Sequence, residues 1–343
     1  MTRTLVVAPN WVGDCVMAEP VFRALRDSGR ELAVLAKRPL HGLLELFPGV
    51  VETIHNGRDE ATVAALAGGG FDEALLLPNS FRTAWMVSRA GIPRRFGYRA
   101  DFRGPLLAPA VARARKASRR PQIEDYGELL AAMSVALPAS FVPRLALSPE
   151  LRALGRERLD RAGFRSASPG SERTGPIVGL SPGAEWGPSK RWPMRHWSDF
   201  ARELDRRVPG LQQGIFVGPK EIWLGVRIHE ESGKRHPVLG PDLDLVGLAA
   251  AMSHLDLLVT NDSGPMHLAA ALGVPCVALF GPTDRRRTAP AGEGHIVLDR
   301  ELWCSPCFRR HCPLLHHGCM RGLGVDEVAT AAIAAITTGT PRG

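Results

Sequence analysis

Four short stretches hold residue types that do chemistry together. The first is Pro9-Asn10-Trp11-Val12-Gly13-Asp14, where a glycine turn presents a carboxylate. Asp14 reads either as a helix N-cap, the commoner use at such a position, or as a general base facing a ligand. The second, Pro182–Pro193, sets Gly183, Gly187, Ser189, Lys190 and Arg191 around Trp186 and Trp192. Glycines allow close backbone approach, and Ser, Lys and Arg are natural phosphate partners. A solvated turn is the plainer alternative. The third, Asn261-Asp262-Ser263-Gly264-Pro265-Met266-His267, runs into LAAALG. Gly264-Pro265 starts a helix and Gly273 stops it. A helix N-terminus suits a diphosphate, because its N–H groups are unpaired and partly positive. Asp262 could bond a sugar hydroxyl or cap that helix, and His267 could bond a phosphate or sit satisfied in the core.

The fourth stretch holds Cys304, Cys307, Cys312 and Cys319 at C-x2-C-x4-C-x6-C spacing, with His311, His316 and His317 between them. Four such thiolates could hold structural Zn²⁺ or an iron–sulfur cluster, or stay reduced in a tight loop. A catalytic metal is not expected, since no open-site ligand set appears. Cys15 and Cys276, in apolar surroundings, read as core residues. Arg285, Arg286 and Arg287 follow a Gly-Pro turn, and such a charge run is more often a solvated face.

The first three stretches each follow a short apolar run, which is what positions them. TLVVA (4–8), LAVLA (32–36), VETIH (51–55) and EALLL (73–77) read as buried parallel strands. Val21, Ala24 and Leu25 ahead of Asp27-Ser28-Gly29 read as a helix of about three turns, with Pro20 in its opening turn. A helix-like 149–162 precedes the polar SASPGSERTG (166–175). The alternation then restarts with IVGLS (177–181), GIFVG (214–218), LDLLVT (255–260), PCVALF (275–280) and HIVL (295–298). Two doubly wound α/β domains follow, 1–165 and 176–343, joined by a linker at 166–175. Ligands of such folds bind beyond the carboxyl ends of strands. No G-x-G-x-x-G follows the first strand, against a standard dinucleotide site.

A length of 343 residues fits two domains. The net charge of +8 is local: residues 82–120 hold eleven Lys/Arg against one acid, Asp101, and the rest of the chain is net −2. An anionic partner is therefore expected at that segment. No run of about 18 apolar residues suggests a membrane span. The N-terminal apolar run is too short for a signal peptide, so a cytoplasmic protein is expected. A nucleic-acid-binding protein is the competing class, prompted by a pI near 9.6. It lacks recognition motifs, so no specific nucleic acid is expected.

PNWVGDCVMAEP (9–20), LLLPNSFRTAW (75–85), IPRRFGY (92–98), GAEWGPSKRWP (183–193), NDSGPMHLAAALGVPCVALFGPTD (261–284) and CSPCFRRHCPLLHHGCM (304–320) resemble the ADP-heptose:lipopolysaccharide heptosyltransferases, most closely their type II branch. The resemblance implies a GT-B fold, two Rossmann-like doubly wound domains facing a central cleft. It implies a C-terminal domain for ADP-L-glycero-D-manno-heptose and an N-terminal domain for the lipopolysaccharide inner core. Heptose would pass with inversion to O3 of the first heptose, with no required cofactor. The family's base maps onto Asp14 and its phosphate-binding lysine onto Lys190. Its ribose- and phosphate-contacting motif maps onto Asp262, Ser263, Gly264 and His267. Met266 lies inside that motif as a backbone-contact candidate. A family acidic residue maps onto Glu221, although Lys220 stands where a small residue is expected. Domain closure would bring Asp14 to the donor.

The same resemblance implies an enzyme peripheral at the inner face of the inner membrane. Arg82, Arg94, Arg95, Arg99 and Arg103 could then receive acceptor carboxylates and phosphates bidentately. Arg113, Arg115, Lys116, Arg119 and Arg120 read as solvated surface or as cations leaning on the anionic leaflet. The competing enzymes are a GT-B transferase for another nucleotide sugar and a nucleotide-sugar epimerase. The WVGD and SKRWP loops speak against the epimerase. The oligomeric state stays open.

Overall fold

The structure is a computed structural model that describes residues 1–113, 120–165 and 175–338. The chain divides into two compact units, Met1–Leu145 and Ala146–Gly343. The first unit is built on β1 (Arg3–Val7), β2 (Glu31–Ala36), β3 (Val50–His55), β4 (Glu73–Leu76), β5 (Arg94–Tyr98) and β6 (Ala110–Val111), in the order β3-β2-β1-β4-β5-β6. Neighbouring strands all run parallel. Leu5, Val7, Ala33, Leu35, Ala74 and Leu76 are wholly buried in one core with Ala84, Met86 and Val87 of the helix Phe81–Arg89. Burial on both faces explains why β1, β2 and β4 read as continuous apolar runs; β3, expected to be buried with them, is partly exposed along its length because it is an edge strand.

The expected helix after β1 is two helices, Val12–Met17 and Glu19–Asp27, with Pro20 in the opening turn of the second. Gly29, at φ +77°, ends it. The short strands β5 and β6 were not anticipated. In β5 the charged Arg94-Arg95 opens the strand, and only Phe96, Gly97 and Tyr98 are buried.

The second unit repeats the plan with β7 (Ile177–Ser181), β8 (Gln212–Phe216), β9 (Val238–Leu239), β10 (Leu257–Asn261), β11 (Cys276–Leu279) and β12 (Ile296–Leu298). Its order is β12-β11-β10-β7-β8-β9, again parallel. In both units the first strand is central and the winding reverses beside it, at β1/β4 and β7/β10. That reversal opens the crevice beyond the strands' carboxyl ends.

The boundary between units lies about twenty residues before the expected linker. The helix Pro149–Arg161 belongs to the second unit because it packs on the helix Leu245–Met252. Gly155 makes that approach possible, since a Cβ there would lie 2.2 Å from the Ala250 carbonyl oxygen. Residues 166–174 of the expected linker, and Arg115, Lys116 and Arg119, lie outside the described residues. Among the described residues no helix is long and apolar enough to cross a membrane.

Candidate functional site

In the second unit, three post-strand loops converge beside β7/β10. After β7, the loop from Pro182 enters a short 3-10 turn, Pro188–Lys190. Asn261, the last residue of β10, ties this loop down: its amide donates to the Pro182 carbonyl (2.7 Å), and its oxygen accepts the Trp192 N–H (3.0 Å). Lys190 is thereby aimed at Asp262, with Nζ 2.6 Å from Oδ2. The Trp186 ring centroid lies 5.1 Å from the same ammonium, within cation–π range. Thr283, from the loop after β11, donates its hydroxyl to the same Asp262 oxygen at 2.5 Å. Asp262 is thus a buried anchor for Lys190.

Ser263 takes the N-cap position of the helix Gly264–Ala271 in extended backbone. Its side chain makes no capping bond and meets the Thr260 hydroxyl at 3.3 Å. Pro265 lies in the first turn, and Gly273, at φ +73°, ends the helix as expected. Met266 is buried against Ala278 and Phe280, and its N–H turns back to the Ser263 carbonyl (3.2 Å). His267 is buried, and desolvation lowers its pKa to about 4, the Lys190 charge adding to the effect while Asp262 opposes it. It is therefore a neutral imidazole near pH 7, able to donate one hydrogen bond but carrying no charge.

Glu221 ends the 3-10 turn Pro219–Glu221 after β8. Its carboxylate accepts the Ala184 N–H (2.9 Å) and pairs with Arg191 (2.7 Å). A Cβ on Gly183 would lie 2.1 Å from its Oε2, so any larger residue there would have to displace the Glu221 carboxylate. Glu221 holds the Lys190 loop from below. Lys220 instead reaches the exposed Glu185 (2.9 Å). Arg285 pairs with Asp299 and Glu301, and Arg286 pairs with Asp284, as expected of a solvated charge run.

In the first unit, Asp14 lies inside the first turn of the helix Val12–Met17, whose N-cap position belongs to Trp11. Asp14 is not the cap. Gln122 donates to Asp14 Oδ1 at 2.9 Å. Burial chiefly, with the Asp14 charge next, pushes the Tyr126 hydroxyl up, and Gln122 bonds that hydroxyl as well. The neighbouring Cys15 thiol, bonded to the Pro9 carbonyl (3.1 Å), is raised by burial and then by Asp14. Asp14 thus presents a carboxylate oriented by a side-chain amide. Gln122 and Thr283 carried no sequence signal of these partnerships: Gln122 stands 108 residues from Asp14.

The expected arginine cluster is not one site. Arg94 and Arg95 open β5, at the amino edge of the sheet, paired in register with Glu73 and Ala74. Arg94 pairs with the buried Glu73 (3.2 Å), and Arg95 donates to the Leu106 and Ile92 carbonyls. Both therefore lie at the opposite edge from the crevice. Arg82 is on the correct edge but clamps the loop after β3 through Asp59, Asn56 and Gly57. Arg103 is fully buried, donating to the Tyr98 carbonyl (2.9 Å), the Pro78 carbonyl and the Asn79 side chain (3.1 Å). Desolvation lowers its pKa to about 10. These four are structural clamps. Arg99, directly after β5, is exposed and its guanidinium has no partner among the described residues. Arg113 and Arg120 both pair with Asp125, and Arg120 also with Glu128, so neither is simply a solvated cation.

Cys304, Cys307, Cys312 and Cys319 are free thiols, half-buried. Burial raises Cys319, and Cys307, Cys304 and Cys312 add to it. Among the described residues no group of three or more His, Cys, Asp or Glu side chains is disposed to hold a metal ion. Cys15 and Cys276 are core residues, as expected.

The profile of glycosyltransferase family 9 (heptosyltransferase) matches residues 61–317. Lipopolysaccharide heptosyltransferase 2 of Escherichia coli K12 is 32% identical over 313 residues, 86% of this chain and 87% of the relative. Its counterpart in Salmonella typhimurium LT2 is 33% identical over the same shares. The solved structure of the E. coli ADP-heptose heptosyltransferase II superposes with a TM-score of 0.80 at 28% identity, over 98% of this chain and 99% of that one. The shared fold is GT-B, two Rossmann-like doubly wound domains.

Proposed function

Since the chain belongs to glycosyltransferase family 9, the heptosyltransferase family, we propose that it moves L-glycero-D-manno-heptose from ADP-heptose to O3 of the first heptose of the lipopolysaccharide inner core. The observation that carries this reading is the Lys190–Asp262–Thr283 constellation beside the helix start at Gly264. It is a site for a leaving diphosphate, and the curated relatives are lipopolysaccharide heptosyltransferases.

The reaction is a single displacement with inversion at the anomeric carbon. Asp14 removes the proton from the acceptor hydroxyl as that oxygen attacks C1 of the donor. Gln122 keeps the carboxylate oriented. Help of this kind is worth roughly 10²–10⁴-fold. As the C1–O bond breaks, negative charge grows on the ADP. Lys190 and the helix N-terminus meet it with fixed positive charge, and Ser263 and neutral His267 offer hydrogen bonds. The charge is met by protein groups, so the proposed step needs no metal. Glu221 supports the loop that carries Lys190. Arg99 is the cation offered to the carboxylates and phosphates of the acceptor, and the enzyme works at the inner face of the inner membrane.

The test is mass-spectrometric detection of heptose transfer from ADP-heptose onto a mono-heptosylated Kdo₂-lipid. One added heptose at O3 is the expected product. Transfer from a GDP or UDP sugar in its place would overturn the donor assignment.

A further inference from the structure

The loop 302–317, between β12 and the helix Gly318–Arg321, takes no part in the reaction above, yet it exposes four large apolar side chains. Trp303 is 87% exposed and Leu315 82%, with Phe308 and Leu314 about half exposed. The chain neighbours of Trp303 and Leu315, Cys304 and His316, meet at 3.9 Å, which draws the two ends of the loop together. Phe308 and Leu315 hold φ of +52° and +59°, a region that side-chain-bearing residues adopt only at a cost. The loop is also firmly held. The Phe308 N–H donates to the Pro282 carbonyl (2.8 Å), and Ser305 donates to Gly281. Ser189 donates its hydroxyl to the Arg309 carbonyl (2.5 Å) and its N–H to that of Arg310 (3.1 Å). A built loop thus presents apolar side chains to water, partly against backbone preference.

The charge along the loop itself is one-sided, and the exposed Glu301 just before it is paired with Arg285. From 302 to 321 the chain has no carboxylate, three arginines (Arg309, Arg310, Arg321) and three histidines. Arg309 and Arg310 are exposed. Trp, Phe and Leu interleaved with cations is the composition that a bilayer interface accepts. An anionic leaflet adds attraction for the arginines.

We propose that loop 302–317 docks the enzyme on an anionic bilayer, with Trp303, Phe308, Leu314 and Leu315 among the headgroups and Arg309 and Arg310 on lipid phosphates. The inference rests on the reading of the acceptor as a membrane-anchored glycolipid. It assigns the membrane contact to this loop.

The experiment is flotation of the full chain with vesicles of phosphatidylcholine, alone or with one-third phosphatidylglycerol. Wild type, W303S/L315S and R309Q/R310Q are compared, with folding checked by thermal midpoint. Wild type is expected to float with the anionic vesicles, and each double variant to bind at least tenfold more weakly. Transfer to a deacylated, water-soluble acceptor should be equal in all three. The proposal is overturned if wild type does not bind, or if the variants bind like wild type. It is also overturned if transfer to the deacylated acceptor falls in step with vesicle binding, or if the loop instead mediates self-association in sedimentation velocity. Absence of transfer by every protein, with vesicle binding behaving as expected, would instead defeat the functional reading and leave the docking loop standing.

Discussion

Lys190 Nζ stands 2.6 Å from Asp262 Oδ2, and both side chains are largely enclosed. Thr283 shares the same oxygen and Trp186 flanks the ammonium. The cation proposed to meet the diphosphate is thus held in place by Asp262 and Trp186. K190A strands the Asp262 charge and should destabilise the fold by about 3 kcal/mol. It should also weaken ADP about 10–100-fold, the worth of a charged hydrogen bond. K190A/D262N should regain much of the thermal stability but none of the ADP affinity, measured by calorimetry. Tight ADP binding by the double variant would remove Lys190 from the donor site.

Asp14 makes an independent prediction, because the proposed donor residues all belong to the other unit. D14N should bind ADP as wild type does while kcat falls by about 10²–10⁴. Q122A removes the amide that orients Asp14 Oδ1 and bonds the Tyr126 hydroxyl but leaves the carboxylate in place, so its loss should be smaller, on the order of tenfold. Near-normal turnover by D14N, followed as ADP release, would end the assignment of the base.

The donor loops were legible in the sequence because their logic is local. A strand, then a short loop, then a helix opened by Gly264-Pro265 must put Asp262, Ser263 and Gly264 at the carboxyl edge of the sheet. The central strands β1, β2, β4, β7, β10 and β11 were legible for a similar reason, as apolar runs buried along their length. The arginines were not. Arg94 and Arg95 look like the end of an apolar segment, but they begin a strand whose buried half is only Phe96-Gly97-Tyr98. Charge density cannot tell one sheet edge from the other. Arg103 shows the same limit: its three oxygen partners come from Pro78, Asn79 and Tyr98, which only the fold brings together.

That difference separates two arginines of one segment. R99E should raise the acceptor KM and its salt sensitivity, with donor KM and the urea midpoint unchanged. R103A should do the reverse. It leaves the buried Tyr98 carbonyl and the partly exposed Pro78 and Asn79 oxygens without their donor, at a cost of about 1–3 kcal/mol, and its folded fraction should keep a normal acceptor KM. An unchanged acceptor KM in R99E would withdraw Arg99 from the acceptor site.

His267 gives a prediction with a definite sign. Its ordinary pKa is near 6.5, and desolvation lowers it in the folded protein to about 4. Between those values the unfolded chain binds a proton that the folded chain refuses. The stability held by the neutral imidazole is therefore complete above pH 6.5 and is lost as pH falls toward 4, by up to about 3 kcal/mol. His196, His236, His254, His295 and His317 are shifted the same way, so the total slope is shared. H267Q isolates one share of it: the stability gap between wild type and H267Q should shrink by that amount from pH 7 to pH 4 in urea titrations. Over pH 6–8 His267 stays neutral and should leave donor kcat/KM flat. A stability gap independent of pH would mean that His267 titrates near its ordinary value, and would restore it as a cation for the diphosphate.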